Sequence, residues 1–148
     1  TVLDAGPAQD YPLEKLPPVT ILSPNETETK ALVGIYPADE ESCRDAAKKL
    51  MERNDCKFVV LKLGDRGSYL YGDGLDVMVP PYKVDAIDPT AAGDAYPGTL
   101  AKAFVEMGDL VEAAKYASAS GALTCTQLGA QPSLPTAAEI DTFLATQK

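Results

Sequence analysis

The feature that most constrains the fold is a short, uninterrupted apolar run, Phe58-Val59-Val60-Leu61. A strand without polar residues is typical of one buried on both faces, as in a parallel sheet covered by helices. Apolar residues at helical spacing precede the run, between Asp39 and Asn54, and a glycine-rich turn follows it. Residues 68–71 and 75–79 then have the pattern of a β-hairpin around Gly72-Asp73-Gly74. The run and its flanks therefore indicate an α/β fold that contains one small hairpin.

The rest of the chain alternates short strands with helices in the same way. Further strands are predicted at 1–3, 19–22 and 84–87, and helices at about 25–32, 39–54, 94–107, 109–123 and 136–144. Asp109 with Glu112, and Thr136 with Glu139, have capping-box spacing. This order predicts a doubly wound, mostly parallel sheet with flanking helices.

The length of 148 residues predicts a single domain. Residues 1–3 already have the character of a buried strand, and no lead-in precedes them. We therefore expect a fold that is truncated at its N-terminus.

The charged residues narrow the possible functions. The formal net charge of −9 argues against a nucleic-acid surface, although it does not exclude a nucleotide bound locally. The chain has no histidine, which excludes Ser-His and Cys-His nucleophile pairs and the usual zinc sites. Acid–base chemistry must therefore depend on a carboxylate, lysine, tyrosine or cysteine.

The apolar residues and the cysteines point to the cytoplasm. No apolar run approaches the ~20 residues of a membrane span, and Thr1-Val2-Leu3-Asp4 lacks the features of a signal peptide. Cys43, Cys56 and Cys125 are odd in number and not at metal-binding spacing, so we expect free thiols in a reducing compartment.

The stretch Asp88-Pro89-Thr90-Ala91-Ala92-Gly93-Asp94 is the strongest candidate for chemistry. It is predicted as a strand end, a turn of small residues and a helix start. Small residues let a ligand approach the backbone, and a helix N-terminus suits an anion. Asp94 would then be a general base beside an anion site. The alternative is a plain turn in which Asp94 is an ordinary helix N-cap.

Three further stretches follow predicted strands or helices, and each has a structural alternative. Asn25-Glu26-Thr27-Glu28 offers oxygen ligands for Mg²⁺, or merely caps a helix. Lys62-Leu63-Gly64-Asp65-Arg66-Gly67 can present backbone N–H groups to a phosphate, or is a simple hairpin turn. Gln127 to Ser133 can surround a cation or line an adenine pocket, or is a plain loop.

Taken in order, these stretches resemble the C-terminal half of the ribokinase-like sugar kinases of the phosphofructokinase-B type. The matching motifs are Pro24-Asn25-Glu26-Thr27-Glu28, Leu63-Gly64-Asp65-Arg66-Gly67, Asp88 to Asp94, and Gly129-Ala130-Gln131-Pro132-Ser133. Asp4-Ala5-Gly6-Pro7-Ala8 and Glu139 to Leu144 also look like the family. The resemblance covers essentially the whole chain and implies a ribokinase-like fold.

The resemblance implies an ATP-dependent sugar kinase, with ribose favoured as the sugar. Asp94 corresponds to the base that takes the proton of the sugar hydroxyl. The anion hole for the phosphoryl group corresponds to the backbone N–H groups of Ala91, Ala92, Gly93 and Asp94. Phosphoryl transfer depends mainly on positioning and charge stabilisation, which agrees with the prediction made from the residues.

The resemblance also implies ATP, Mg²⁺ and a monovalent cation, usually K⁺, as ligands. Asn25 and Glu28 match the motif tied to Mg²⁺ and phosphate. The expected nucleotide contacts are Asn25, Lys62, Gly64, Gly67 and, at the adenine, Ser118 and Ala122. The expected cation ligands are Asp88, Thr90, Gly129 and Ser133.

The sequence departs from the family at several points. Pro89 replaces the usual threonine and removes one N–H, Lys62 stands where threonine is common, and Pro97 is expected in the first turn of its helix. Members of the family are about twice as long, so most of the sugar-binding residues and the lid would be absent. The alternative function is therefore a catalytically incompetent remnant that binds nucleotide or a partner. An exposed sheet edge would also allow a homo-oligomer.

Overall fold

The computed structural model describes residues 1–147 and divides the chain into two compact units, Thr1–Val79 and the part from Pro80 onward. The first unit contains five strands: β1 (Val2–Leu3), β2 (Ile21–Leu22), β3 (Phe58–Lys62), β4 (Ser68–Gly72) and β5 (Leu75–Val79). It also contains helices α1 (Glu26–Val33) and α2 (Glu40–Asn54). The second unit contains α3 (Ala92–Met107), α4 (Leu110–Cys125) and α5 (Ala137–Thr146). Short 3₁₀ turns lie at Leu13–Lys15, Gly64–Arg66 and Gln131–Ser133.

The sheet has the order β1-β2-β3-β4-β5. The first three strands are parallel, with Val2 opposite Ile21 and Ile21 opposite Phe58. The hairpin β4–β5 then continues the sheet in the antiparallel sense. The predicted α/β class, with a parallel sheet, flanking helices and a small hairpin, is confirmed.

Strand β3 lies at the centre of this sheet, and its first four residues are buried, with exposures of 0–5%. Side chains alternate between the two faces of a strand, so burial of all four requires cover on both faces. One face packs in a core formed by residues of the sheet and of α2: Leu22, Val59, Leu61, Tyr69, Cys43, Ala46, Ala47 and Leu50. This confirms the prediction made from the apolar run.

Residues 7–18 lack strands and long helices, and side chains at the end of α2 fix them in place. Arg53 donates to the carbonyls of Tyr11 and Leu32 and to the carboxylates of Asp10 and Glu14. Asn54, only 3% exposed, accepts from the Val19 N–H at 3.0 Å and donates to the Leu13 carbonyl at 3.0 Å. A proline-rich segment is thus ordered by hydrogen bonds to its backbone.

In the second unit, α3 and α4 pack through small residues. Ala103 of α3 and Ala113, Ala114 and Ala117 of α4 are buried, and Thr99 Oγ1 donates to Ser120 Oγ at 2.9 Å. A Cβ added to Gly121 would lie 3.7 Å from the carbonyl oxygen of Ala92. The helices predicted at about 94–107 and 109–123 are therefore confirmed, and the structure shows that they pack as a close pair.

Two local predictions about the second unit are wrong. No strand forms at 84–87, because the N–H groups of Ile87 and Asp88 donate to the Cys125 carbonyl at 2.7 and 3.0 Å instead of to a strand partner. Pro97 lies in the second turn of α3, since the helix begins at Ala92 rather than after Asp94. At that position a proline cannot donate the helical hydrogen bond to the carbonyl of residue 93.

The capping predictions are confirmed with one exception. Thr136 and Glu139 form a reciprocal capping box at the start of α5. Asp109 caps α4 by accepting from the N–H groups of Val111 and Glu112. The side chain of Glu112 does not complete a box there, because it pairs with Lys115 at 2.7 Å.

The cysteines are unpaired, as expected, with Cys43 and Cys56 buried. Burial raises the pKa of each of these two thiols to about 11, so both remain protonated near neutral pH. Over residues 1–147, none of the helices combines the length and apolar character needed to cross a bilayer.

Replacement of Asn54 tests the link between α2 and the proline-rich segment. Asn54→Ala leaves the Val19 N–H and the Leu13 carbonyl without this partner, so we expect a loss of about 2 kcal/mol in the free energy of unfolding. Urea denaturation followed by circular dichroism measures it. Lys49→Ala, at an exposed position of the same helix, should change stability by at most about 0.5 kcal/mol. Equal effects of the two variants would contradict the assignment.

Candidate functional site

The start of α1 is fixed by a reciprocal pairing of Asn25 and Glu28. Asn25 Oδ1 accepts from the Glu28 N–H at 2.9 Å, and Glu28 Oε2 accepts from the Asn25 N–H at 2.7 Å. This agrees with the alternative in which Asn25 caps the helix, and the structure adds the reciprocal bond from Glu28 that makes it a capping box. Glu28 is only 6% exposed. Its second oxygen, Oε1, lies outside the box and would be 3.1 Å from a Cβ added to Gly6.

The turn after β3 depends on two glycines. Gly64 and Gly67 have φ values of 58° and 88°, in the region that disfavours side chains. The turn is closed by hydrogen bonds from the Leu63 N–H to the Gly67 carbonyl at 2.9 Å and from the Gly67 N–H to the Gly64 carbonyl at 3.1 Å. No atom lies within 4 Å of a Cβ added to Gly64, so the backbone conformation rather than lack of space requires glycine there.

Arg66 joins this turn to the start of α1, a contact that the sequence analysis did not predict. Its guanidinium lies 2.5 Å from Glu26 Oε1 and donates to the carbonyls of Pro37 and Ala38 at 2.6 and 2.7 Å. The hydrogen bond to Glu26 raises the pKa of Arg66. The glycine turn and the capped helix are therefore held next to each other.

Lys62 lies between these two features. Its N–H donates to the Pro24 carbonyl at 2.9 Å, and its backbone forms an isolated parallel bridge with Asn25. Its ammonium donates to Asp4 Oδ1 at 2.8 Å, and the lysine side chain is only 11% exposed. Within the first unit, the structure thus brings together five predicted residues: Asn25, Glu28, Lys62, Gly64 and Gly67.

Mg²⁺ is the ligand that the capping box was expected to hold. Within residues 1–147, no three acidic or cysteine side chains are placed to bind a metal ion together. Asn25 Oδ1 already accepts from Thr27 Oγ1 and the Glu28 N–H, so Glu28 Oε1 is the oxygen left for an ion. The residues fit an Mg²⁺ that takes most of its ligands from water and phosphate, a common arrangement for this ion.

In the second unit, the carboxylate of Asp88 connects two loops. Its Oδ1 accepts from the Thr90 N–H at 2.9 Å and its Oδ2 from the Gly129 N–H at 3.1 Å. Hydrogen bonds from the side chain and backbone of Thr90, and then from Gly129, lower the pKa of Asp88. Pro89 has no N–H to offer, and the carboxylate is satisfied by the next residue instead.

Ser133 lies in the second of the two loops that Asp88 connects. It is 1% exposed, and its Oγ lies 2.6 Å from the Gly129 carbonyl oxygen and 2.7 Å from that of Ala130. A hydroxyl has one proton, so it can donate to only one of the two carbonyls at a time. The resulting set of close oxygens fits a cation with oxygen ligands. Asp88, Thr90, Gly129 and Ser133, which were predicted together, are brought together.

Helix α3 begins without a side-chain cap. Ala91 is its N-cap residue, with a left-handed φ of 64°, and Asp94 is the third helical residue, so the alternative in which Asp94 caps the helix is wrong. The side chain of Asp94 is exposed. The N–H groups of Ala92 and Asp94 donate to the carbonyls of Pro89 and Ala91 at 3.2 and 3.1 Å. An anion at this turn would compete with those two long bonds.

The residues expected at the adenine lie on α4. Ser118 and Ala122 are half-buried and one helical turn apart, so they share one face of the helix. Gly93, expected with Ala91 and Ala92 in the anion hole, lies in the first turn of α3.

Residues 1–137 match the sequence profile described as pfkB family carbohydrate kinase. The ribokinase of Haemophilus influenzae is 36% identical over 143 residues, which are 97% of this chain and 46% of that protein. The chain therefore spans about half the length of this relative.

Solved structures of ribokinases also match nearly the whole chain over about half of their own length. A crystal structure of ribokinase from Thermotoga maritima matches 97% of this chain with a TM-score of 0.84 and 35% identity, over 48% of its own length. The Arabidopsis thaliana ribokinase complexed with ribose and ATP matches 97% of this chain and 46% of its own, with a TM-score of 0.83 and 31% identity.

Replacement of Ala91 tests the backbone at the start of α3. A side chain in the left-handed region costs about 1–2 kcal/mol, so Ala91→Gly should raise the free energy of unfolding by about 1 kcal/mol. Ala101→Gly, in the interior of the same helix, should lower it by about 0.5–1 kcal/mol. Urea denaturation of both variants provides the comparison. A loss of stability in Ala91→Gly would show that the left-handed conformation is not required.

The depressed pKa of Asp88 predicts a pH dependence. A carboxyl whose folded-state pKa lies below the unfolded value, 3.8 for a model aspartate, stabilises the protein at higher pH. That contribution is lost as the pH falls through the folded-state pKa. Asp88→Asn should therefore be less stable than the parent chain at pH 7, and the difference should be smaller at pH 3, which lies below the unfolded-state value. Thermal unfolding of both at the two pH values is the measurement, and the exposed Asp85→Asn should show no such difference at pH 7.

Proposed function

The chain belongs to the pfkB family of carbohydrate kinases, and from this membership we propose that it carries the nucleotide-binding and phosphoryl-transfer part of an ATP-dependent sugar kinase. The γ-phosphoryl group of ATP would be transferred to a sugar hydroxyl. Ribose is the proposed sugar, because the matched ribokinase from Arabidopsis thaliana is described as complexed with ribose and ATP. We propose the cytoplasm as the location and one nucleotide-binding part, residues 1–148, as the domain.

The placement of Asp94 is the observation that most supports this proposal. Its carboxylate is exposed in the first turn of α3, and within residues 1–147 its side chain has no hydrogen-bond partner. A general base needs such access to the proton that it removes. In the proposed reaction, Asp94 accepts the proton of the attacking sugar hydroxyl.

The remaining roles follow from the family motifs. The N–H groups of Ala91, Ala92, Gly93 and Asp94 would stabilise the charge on the phosphoryl group, as oriented backbone donors do elsewhere. Lys62, Gly64 and Gly67 would contact the nucleotide phosphates, and Ser118 and Ala122 would flank the adenine.

Two cations have proposed positions. Bound Mg²⁺ supplies charge neutralisation for the phosphates, and Asn25 and Glu28 would hold it, largely through water. Asp88, Thr90, Gly129 and Ser133 would hold K⁺ through the loop oxygens beside Ser133.

A second candidate function does not require turnover. The chain spans 46–48% of the length of the ribokinases described above. The alternative is a chain that binds nucleotide, or a partner such as a second copy at the edge of the sheet, without catalysis.

The kinase function and the binding-only function differ in whether a sugar stimulates the release of ADP. We expect calorimetry to detect binding of MgATP in a potassium buffer, and a coupled assay to detect ADP release that D-ribose stimulates. Asp94→Asn should lower the stimulated rate by about 10²–10⁴-fold and leave MgATP binding unchanged, because it removes only the base. Asp85→Asn, an exposed aspartate in the same unit, should retain the parent rate.

Binding without ribose-stimulated release would support the alternative function. Absence of binding heat at high protein concentration would contradict both the kinase proposal and nucleotide binding.

A further inference from the structure

A guanidinium lies inside the glycine turn, residues 64–67, and its hydrogen bonds lead away from that turn. Arg66 Nη1 donates to the Ala38 carbonyl at 2.7 Å, and Nη2 donates to the Pro37 carbonyl at 2.6 Å. Nη2 also donates to Glu26 Oε1 at 2.5 Å. The two carbonyls belong to the loop between α1 and α2, and the carboxylate belongs to the first turn of α1. One side chain therefore attaches the glycine turn to two other elements of the first unit.

A positive charge in a turn that faces phosphates could be read as a phosphate ligand, but the contacts of Arg66 argue against that role. Nη2 carries two protons, and the Pro37 carbonyl and the Glu26 carboxylate accept them. The side chains of Arg66 and Glu26 are 34% and 27% exposed, so the pair is only partly open to water. A phosphate that took these protons would leave both acceptors without this donor, which is costly. Arg66 is therefore placed to act on the turn and not on a ligand.

The backbone of the turn benefits from such an external contact because a glycine lies at each end. Gly64 and Gly67 both have left-handed φ values, and glycine loses more conformational freedom on folding than any other residue. Two of the bonds that close the turn are long: the Arg66 N–H to the Leu63 carbonyl and the Gly67 N–H to the Gly64 carbonyl, both at 3.1 Å. Unless another contact holds such a turn beforehand, a ligand must pay for ordering it on binding.

We propose that Arg66 is a positioning residue for the nucleotide: by binding Glu26 and the two loop carbonyls, it holds the glycine turn in its binding conformation and so sets the affinity for MgATP. The inference rests on the proposed function, because it uses the nucleotide contacts assigned there to Gly64 and Gly67. A role for Arg66 as a phosphate-attracting charge predicts the opposite behaviour of Glu26. In that case the carboxylate would weaken nucleotide binding by neutralising the guanidinium, whereas a turn held through Glu26 requires it.

Calorimetry with MgATP on the 148-residue chain distinguishes the two roles. Arg66→Lys keeps the positive charge but lacks the planar fork that reaches several acceptors, so the Kd should rise about tenfold. Glu26→Ala removes one acceptor and should raise the Kd about threefold, while Glu26→Gln, which keeps an acceptor oxygen, should lie closer to the parent. The double variant Arg66→Lys/Glu26→Ala should bind no more weakly than Arg66→Lys, because both changes remove the same contact. A Kd below that of the parent in either Glu26 variant would overturn the inference.

The matched control is Arg53→Lys, which disrupts a similar guanidinium network at the end of α2. Arg53 also donates to two backbone carbonyls and to carboxylates, but its partners lie outside the glycine turn. Urea denaturation should show a loss of stability in this variant, while its Kd for MgATP stays within twofold of the parent. A rise in Kd equal to that of Arg66→Lys would assign the effect to general destabilisation and reject the inference.

Amide hydrogen exchange without nucleotide tests the effect of Arg66 on the turn directly. The N–H groups of Leu63 and Gly67, which close the turn, should exchange about tenfold faster in Arg66→Lys than in the parent, while those of β3 keep the parent rate. Unchanged exchange at both positions would contradict the inference. If the parent chain binds no MgATP, the proposed function fails and the inference fails with it, whereas MgATP binding that Arg66→Lys leaves unchanged rejects the inference alone.

Discussion

The polar end of the first unit depends on the reciprocal pairing of Asn25 with Glu28. This pairing fixes where α1 begins, and two other contacts use the same helix start. The backbone of Lys62 bridges to Asn25, and Arg66 binds Glu26 in the first turn. A capped helix therefore also sets the positions of a lysine and of a glycine turn that come about 40 residues later in the chain. The structural role of the motif uses Asn25 Oδ1 and Glu28 Oε2, whereas its proposed binding role would use Glu28 Oε1.

In the second unit, a carboxylate lies in the first turn of a helix that it does not cap. Ala91 adopts the left-handed conformation in place of a side-chain cap, and Asp94 remains exposed. Nearby, Asp88 is fully engaged by the backbone of two loops. Two aspartates six residues apart therefore differ in their surroundings: Asp88 connects two loops, and Asp94 is exposed to solvent.

Features determined by neighbouring residues could be predicted from the sequence, and features that depend on distant residues could not. The caps at Asn25 and Thr136, the hairpin and the buried strand β3 follow from local pattern, and all are confirmed. The strand predicted at 84–87 is absent, and at its end the N–H groups of Ile87 and Asp88 donate to the carbonyl of Cys125, which is far away in sequence. The candidate residues were found through motifs, but the partners of Lys62 and Arg66 were not. An ion pair between residues 58 positions apart has no local signature.

Pro97 affects how cooperatively α3 holds together. Each turn of a helix is normally joined to the next by consecutive N–H donors, and a proline in the second turn removes one of them. The turn that carries Asp94 is thus joined to the body of the helix by fewer bonds than an uninterrupted helix would provide. Local opening of such a segment requires less free energy than global unfolding. In amide hydrogen exchange, this end of α3 would behave as a separate unit that exchanges faster than the rest of the helix.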